Sequence, residues 1–200
     1  SDFIPEFKLF EFTVSLDGIE KENDYIRRRS SWSNVLHNMQ YVSMFPNVNV
    51  NVNGTISFLS VLRFYRLIEW AKENGDIIHQ INWSNIRGPA RICANVLPQK
   101  LKDELIPKYE GYPDIQNVLK EGNHGFTPQD ALDYLIMFDN KYKGTKWEMN
   151  LFDVYPELEE FYKPGIPKRD ANFKNDIHVI NEDDNVQHPE KQEVISSRGY

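Results

Sequence analysis

The sequence predicts an α/β fold built on parallel strands, and three observations carry that prediction. Two separate runs alternate apolar with polar residues, which is the period of a strand. A third short apolar run follows them, and the stretches between the runs carry helical spacing over lengths sufficient to bring the chain back parallel to itself. The chain is also large enough: 200 residues, 40% hydrophobic and 13% aromatic, suffice for one real core with a tail.

The first alternating run, Phe7 to Asp17, places Phe10, Phe12, Val14 and Leu16 on one face and Glu11, Thr13, Ser15 and Asp17 on the other. Asp17-Gly18 is a turn signal, and a charged loop through Arg27, Arg28 and Arg29 is expected after it. Ser30 or Ser31 then caps a helix whose Trp32, Val35, Leu36, Met39 and Val42 share one face, and Pro46 ends it. The second run sets Val48, Val50 and Val52 against Asn47, Asn49, Asn51, Asn53 and Thr55. A helix over Phe58 to Asn74 follows, with Leu59, Leu62, Tyr65 and Ile68 facing inward and Gly75 as its C-terminal cap. Ile77 to Trp83 reads as a third strand. Beyond residue 84 the pattern is irregular and helical. Pro98 opens a helix that Pro107 closes, and Thr127-Pro128-Gln129-Asp130 has the composition of a capped helix start, with Leu132, Leu135 and Ile136 behind it. Trp147, Leu151, Phe152 and Tyr155 form a further apolar patch before Pro156. The expected organisation is residues 1–86 as the β/α part, 87–163 as a helical region, and 164–200 as a disordered tail poor in apolar residues.

Composition removes several function classes. Thirty acidic against 23 basic residues give a net charge of -7, which offers no electrostatic footprint for a phosphate backbone, so a nucleic-acid partner is not expected. No apolar stretch approaches the roughly 20 residues that span a bilayer, and the first residues lack the plan of a signal peptide. No membrane partner and a cytoplasmic location are therefore expected. The one cysteine, Cys93, forms no internal disulfide and reads as a small buried hydrophobe. The five histidines have no metal-ligand spacing, and no P-loop, nucleophile elbow or Rossmann fingerprint is present. The first methionine is Met39, from which a missing upstream segment is expected.

Alternation is itself informative. Parallel strands are normally covered on both faces and read as continuous apolar runs, which these do not. Dry, unpaired polar groups cost roughly 1–3 kcal/mol each, so the polar face must meet water or a polar ligand. Two arrangements satisfy that requirement. One is a ligand cavity at the carboxyl ends of parallel strands; the other is an antiparallel or open sheet facing solvent.

Thr13-Val14-Ser15-Leu16-Asp17-Gly18, then Asn23-Asp24-Tyr25-Ile26-Arg27, then Ser31-Trp32-Ser33-Asn34-Val35-Leu36-His37-Asn38 resemble the "SxDG", "D..R" and "S(F/W)..V..N" motifs of radical S-adenosylmethionine enzymes, in the branch with SPASM or twitch extensions. Leu97-Pro98-Gln99-Lys100-Leu101-Lys102, Tyr142 to Trp147 and Tyr155-Pro156-Glu157-Leu158 are similar to twitch-branch phage and environmental proteins, and the likeness runs over residues 7–163. The resemblance implies the C-terminal half of a partial (β/α)6 TIM-like barrel followed by a mostly helical region. It implies S-adenosylmethionine as cofactor, with a [4Fe-4S] cluster held by a CxxxCxxC motif that this sequence lacks and that would belong to a missing N-terminal half. It places Ser15 and Asp17 at the end of the family's fourth strand near the ribose and methionine, Arg27 opposite a carboxylate, and Asn53 and Thr55 on the cofactor side of the next strand. Two departures stand out: Ser30 replaces a common glycine, and Ser60 stands where asparagine is frequent. The expected function is half of the cofactor cavity, not competent alone and needing its upstream polypeptide as partner, with the substrate unspecified. Two alternatives stay open: a cluster-free α/β binding or scaffold module, and a carbohydrate- or nucleotide-binding domain using the Asn-rich face.

Overall fold

The computed structural model describes residues 8–86, 88–123 and 125–165. Three strands, β1 (Phe10–Ser15), β2 (Val48–Ile56) and β3 (Gln80–Asn85), form a sheet in the order β1-β2-β3, and both neighbouring pairs are parallel. Between the first two strands lie α1 (Glu20–Ile26) and α2 (Trp32–Ser43), and between the second pair lies α3 (Ser60–Glu73). After β3 come two short 3-10 turns and then α4 (Gln99–Leu105), α5 (Pro113–Lys120), α6 (Pro128–Tyr142) and α7 (Leu151–Val154), with a further 3-10 turn between α4 and α5 and another after α7. The described residues all fall within one unit, Ser1–Pro167. The expected tail, 164–200, lies outside the described residues apart from its first two positions.

The apolar side of the alternation makes the core. Val50, Val52 and Ile56 of β2 are buried together with Leu16, with Met39 of α2 and with Phe64, Leu67 and Ile68 of α3. Gly54 belongs to the same row of β2, and a methyl group there would lie 2.5 Å from the Phe64 ring and 2.9 Å from the Leu16 carbonyl oxygen. Glycine therefore lets α3 press directly onto the strand. The seam between β2 and α3 is tied by serines. Ser60 Oγ donates to Thr55 O at 2.5 Å and accepts from Ser57 N at 2.7 Å, which satisfies a tight strand-to-helix corner. Ser60 is fully used in this corner.

Several sequence expectations need correction. The first strand runs over Phe10–Ser15, so Lys8 and Leu9 of the expected run are not strand and Phe7 lies outside the described residues, and the third is shifted from Ile77–Trp83 to Gln80–Asn85. Glu20–Ile26, expected as a charged loop, is helix α1, whose buried positions are Glu22, Asn23 and Tyr25. A helix that buries polar side chains gives no apolar period to read. Helix α3 ends on Asn74, whose side-chain amide donates to Trp70 O at 2.8 Å, so Gly75 is not its cap. The Thr127 start of α6 is as expected: Thr127 accepts from Asp130 N–H and the Asp130 carboxylate accepts from Thr127 N–H, a reciprocal capping box.

Candidate functional site

The register of the parallel strands assembles the polar face. Asn51 stands between Thr13 and Gln80, Asn53 between Ser15 and Asn82, and Thr55 beside Ser84. Glu11, Thr13, Ser15, Asn53, Gln80, Asn82 and Ser84 are exposed, whereas Asn49, Asn51 and Thr55 are half-buried. The sheet is thus parallel, and its polar side is open among the described residues. Gln80 Nε2 donates to Asn82 Oδ1 at 2.9 Å along this face.

At the carboxyl ends of the strands the polar face runs into a cavity of about 310 Å³. Asp17 follows β1, Thr55 and Ser57 end β2, and Ile86 follows β3, so all three strand ends contribute to the lining. From the opposite side α6 contributes Tyr134, Leu135 and Phe138. The ends of strands in α/β folds are the usual location of ligands, because backbone and loop groups converge there.

Of the five residues expected at the site, three meet in one cluster. The buried Asp17 carboxylate accepts Thr55 N–H at 2.7 Å through Oδ1, and Arg27 Nε lies 3.0 Å from Oδ2. Asn23, fully buried, accepts Asp17 N–H at 3.3 Å. The carboxylate therefore bridges the ends of β1 and β2, and Arg27 finds its carboxylate within the chain. Ser15 and Asn53 are elsewhere: they pair in register on the open face, one step before the cavity.

Sequence reasoning overlooked Arg28 by treating it as part of a solvated loop. Its side chain is 9% exposed and sits over the Tyr25 ring at 4.4 Å. It donates to the Asp139 carboxylate and to the carbonyl oxygens of Trp147 (3.0 Å) and Met149 (3.1 Å). Asp139 also accepts from Tyr25 Oη at 2.8 Å and from Leu151 N at 2.7 Å. Burial, together with the neighbouring Asp139 charge, pushes the Tyr25 phenol far above its ordinary range. Tyr25 is thus a fixed hydrogen-bond donor that joins α1 to α6 and helps wall the cavity. A second buried acid, Glu22, pairs with Arg63 and Arg66 of α3, and Arg63 reaches on to Glu157 at 2.9 Å.

Comparison with family models, curated proteins and solved structures finds no match. The reading of the site rests on the geometry and on the motifs within the sequence. Among the described residues no group of three or more His, Cys, Asp or Glu side chains converges as a metal site, and Cys93 is half-buried with its thiol pushed up by burial. Iron-sulfur clusters require three or four thiolates, so the residues present do not fit a [4Fe-4S] cluster. No helix among the described residues is long and apolar enough to cross a membrane.

Proposed function

We propose that this chain is the C-terminal portion of a radical S-adenosylmethionine protein of the twitch type, contributing half of the cofactor cavity as part of a partial (β/α)6 barrel. The observation that carries the reading is a parallel sheet whose apolar face packs under α2 and α3 while its other face is a field of Ser, Thr, Asn and Gln side chains. Parallel sheets are ordinarily covered on both sides, and a polar inner face is what a barrel half needs to hold a polar cofactor. Ser15 and Asn53, with Asn82 beside them, would meet the cofactor's hydroxyl and carboxylate groups, and Asp17, Arg27 and Thr55 would brace the rim. S-adenosylmethionine supplies, on reductive cleavage, a 5'-deoxyadenosyl radical that abstracts a substrate hydrogen. The cluster that delivers the electron would belong to an upstream polypeptide, which is the proposed partner, in the cytoplasm, with neither nucleic acid nor membrane involved.

The test is a titration of the isotope-labelled chain with S-adenosylmethionine, read by amide chemical shifts. Shifts are expected at Ser15, Asn53 and Asn82, and anaerobic reconstitution with iron and sulfide is expected to leave the chain without cluster absorbance. Saturating cofactor that leaves those amides unmoved would overturn the cavity reading, and a stoichiometric cluster on this chain would overturn the assignment of the cluster elsewhere.

One observation favours a second reading, a cluster-free binding or scaffold module. Asp17 pairs with both Arg27 and the Thr55 N–H, as residues do in a structural brace. That reading expects no response to S-adenosylmethionine at the open face.

A further inference from the structure

The cavity beneath α6 has a chemical character different from that of the open sheet face. Its walls are mainly apolar and aromatic: Tyr25 from α1, Leu59 at the start of α3, Ile86 after β3, and Tyr134, Leu135 and Phe138 from α6. Two charged side chains border it, and each is already paired within the chain. Asp17 faces Arg27 and takes Thr55 N–H, while Arg28 is held by Asp139 and carbonyl oxygens. A charged ligand group would lose part of its hydration here and meet no free counter-charge, which is unfavourable. A neutral ligand carries no such penalty.

Acceptors are nevertheless at hand. Each Asp17 oxygen has a second lone-pair site beyond the partner it has taken, and the Thr55 and Ser57 hydroxyls border the same space. The rings of Tyr25, Tyr134 and Phe138 favour a flat aromatic partner through edge-to-face contact. Size narrows the class further. Ligand pockets run from about 300 to 1,000 Å³, and this cavity, at about 310 Å³, lies at the small end of that range, which favours a compact ligand.

We propose that this cavity binds a neutral aromatic ring bearing one hydrogen-bond donor, of the phenol or indole class, with the donor turned to Asp17 and the ring beneath α6. The inference deepens the cofactor reading by naming a substrate class at the same end of the sheet. It rests on that reading for the ligand's role as substrate, whereas the binding itself is tested independently.

The experiment titrates the full, isotope-labelled chain with p-cresol, 3-methylindole, toluene, benzoate and phenethylamine, and with the blocked peptide acetyl-Gly-Tyr-Gly-amide. p-Cresol and 3-methylindole are expected to saturate and to move the Thr55, Leu59 and Leu135 amides. Toluene, which lacks the donor, is expected to bind about 5-fold more weakly, and both charged compounds at least about 10-fold more weakly. The peptide moving the same amides marks a polypeptide side chain as the natural source; p-cresol binding without the peptide marks a free small molecule. Leu135→Trp, which fills the cavity, is expected to abolish the shifts, and Leu135→Phe to weaken them should the larger substitution unfold the chain. Absence of saturable shifts with both neutral donors, or tighter binding of a charged compound, would overturn the proposal. S-adenosylmethionine is titrated in parallel: its shifts persisting while the aromatic shifts fail sinks this inference alone, and the converse sinks the cofactor reading alone.

Discussion

Replacing Asp139 by alanine removes the acceptor that joins three elements. The carboxylate takes Tyr25 Oη at 2.8 Å, Leu151 N at 2.7 Å and the Arg28 guanidinium, and the two charged side chains are 14% and 9% exposed. Breaking a buried pair by deleting one partner costs about 3–5 kcal/mol, because the survivor is left uncompensated. Arg28 keeps the carbonyl oxygens of Trp147 and Met149 as acceptors, so the lower end, about 3 kcal/mol, is expected. For a chain of this length each kcal/mol moves the melting temperature by about 2–4 °C, which gives a loss of about 6–12 °C. Urea and thermal unfolding followed by circular dichroism measure it, with amide exchange at Leu151 as a local readout. The double variant Arg28→Met, Asp139→Leu is expected to recover a large part of the loss, since neither charge is then stranded. A single variant within about 1 kcal/mol of wild type, or a double variant no better than the single, would refute the account of Asp139 as the anchor of α6.

Four further outcomes follow from the geometry. Gly54→Ala forces a methyl group against Phe64 and the Leu16 carbonyl, and a destabilisation of about 3 kcal/mol, at the upper end for overpacking, is expected in urea unfolding. Asp17→Ala strands Thr55 N–H and Arg27, for a loss of about 1–3 kcal/mol, whereas Ser15→Ala on the open face is expected within about 0.5 kcal/mol of wild type; equal losses would contradict the division drawn between them. Burial raises the Asp24 carboxyl above its ordinary 3.8, despite the hydrogen bond it accepts from Trp32 N–H. The folded state then holds that proton more tightly than the unfolded state. Its contribution is therefore full at lower pH and lost as pH rises past 3.8 through the folded value, and Asp24→Asn should flatten that slope in pH-dependent unfolding. Burial holds the Lys102 ammonium below its ordinary 10.5. The unfolded chain there binds more protons, so stability should rise with pH as 10.5 is approached; Lys102→Met is expected to remove that rise and to increase the unfolding midpoint at neutral pH.

The parts of the fold visible in the sequence are those with a simple period or a local chemical signature. Alternation in β1 and β2 identifies both strands, and the reciprocal Thr127–Asp130 cap identifies the start of α6. Helix α1 escapes because Glu22 and Asn23 occupy its buried face, where an apolar residue would have marked the period. Arg27, Arg28 and Arg29 are locally equivalent, and only contacts distant in sequence separate them: Arg27 turns to Asp17, and Arg28 reaches Asp139. The same applies to the cavity. Asp17 and Thr55 could be singled out from strand ends, but Tyr134 and Phe138 arrive from α6, whose own pattern reports only that one of its faces is apolar.

Ser15 and Asp17 lie two positions apart in the sequence, yet the structure gives them different work. Ser15 remains in β1, exposed and level with Asn53, so its hydroxyl is available to whatever meets the sheet. Past Leu16 the chain leaves the sheet, and the Asp17 carboxylate reaches the backbone of the neighbouring strand at Thr55 while Arg27 shields its other oxygen. A buried charge needs hydrogen-bonded partners to be stable, and the bond from Thr55 N–H to Asp17 ties β1 to β2 where the polar face meets the cavity. On the proposed reading, Ser15 is a contact residue and Asp17 a frame residue. That reading expects binding at the open face to be lost on changing Ser15 or Asn53 while the fold persists, whereas changing Asp17, which ties the ends of β1 and β2, is expected to disturb the open face and the aromatic cavity together.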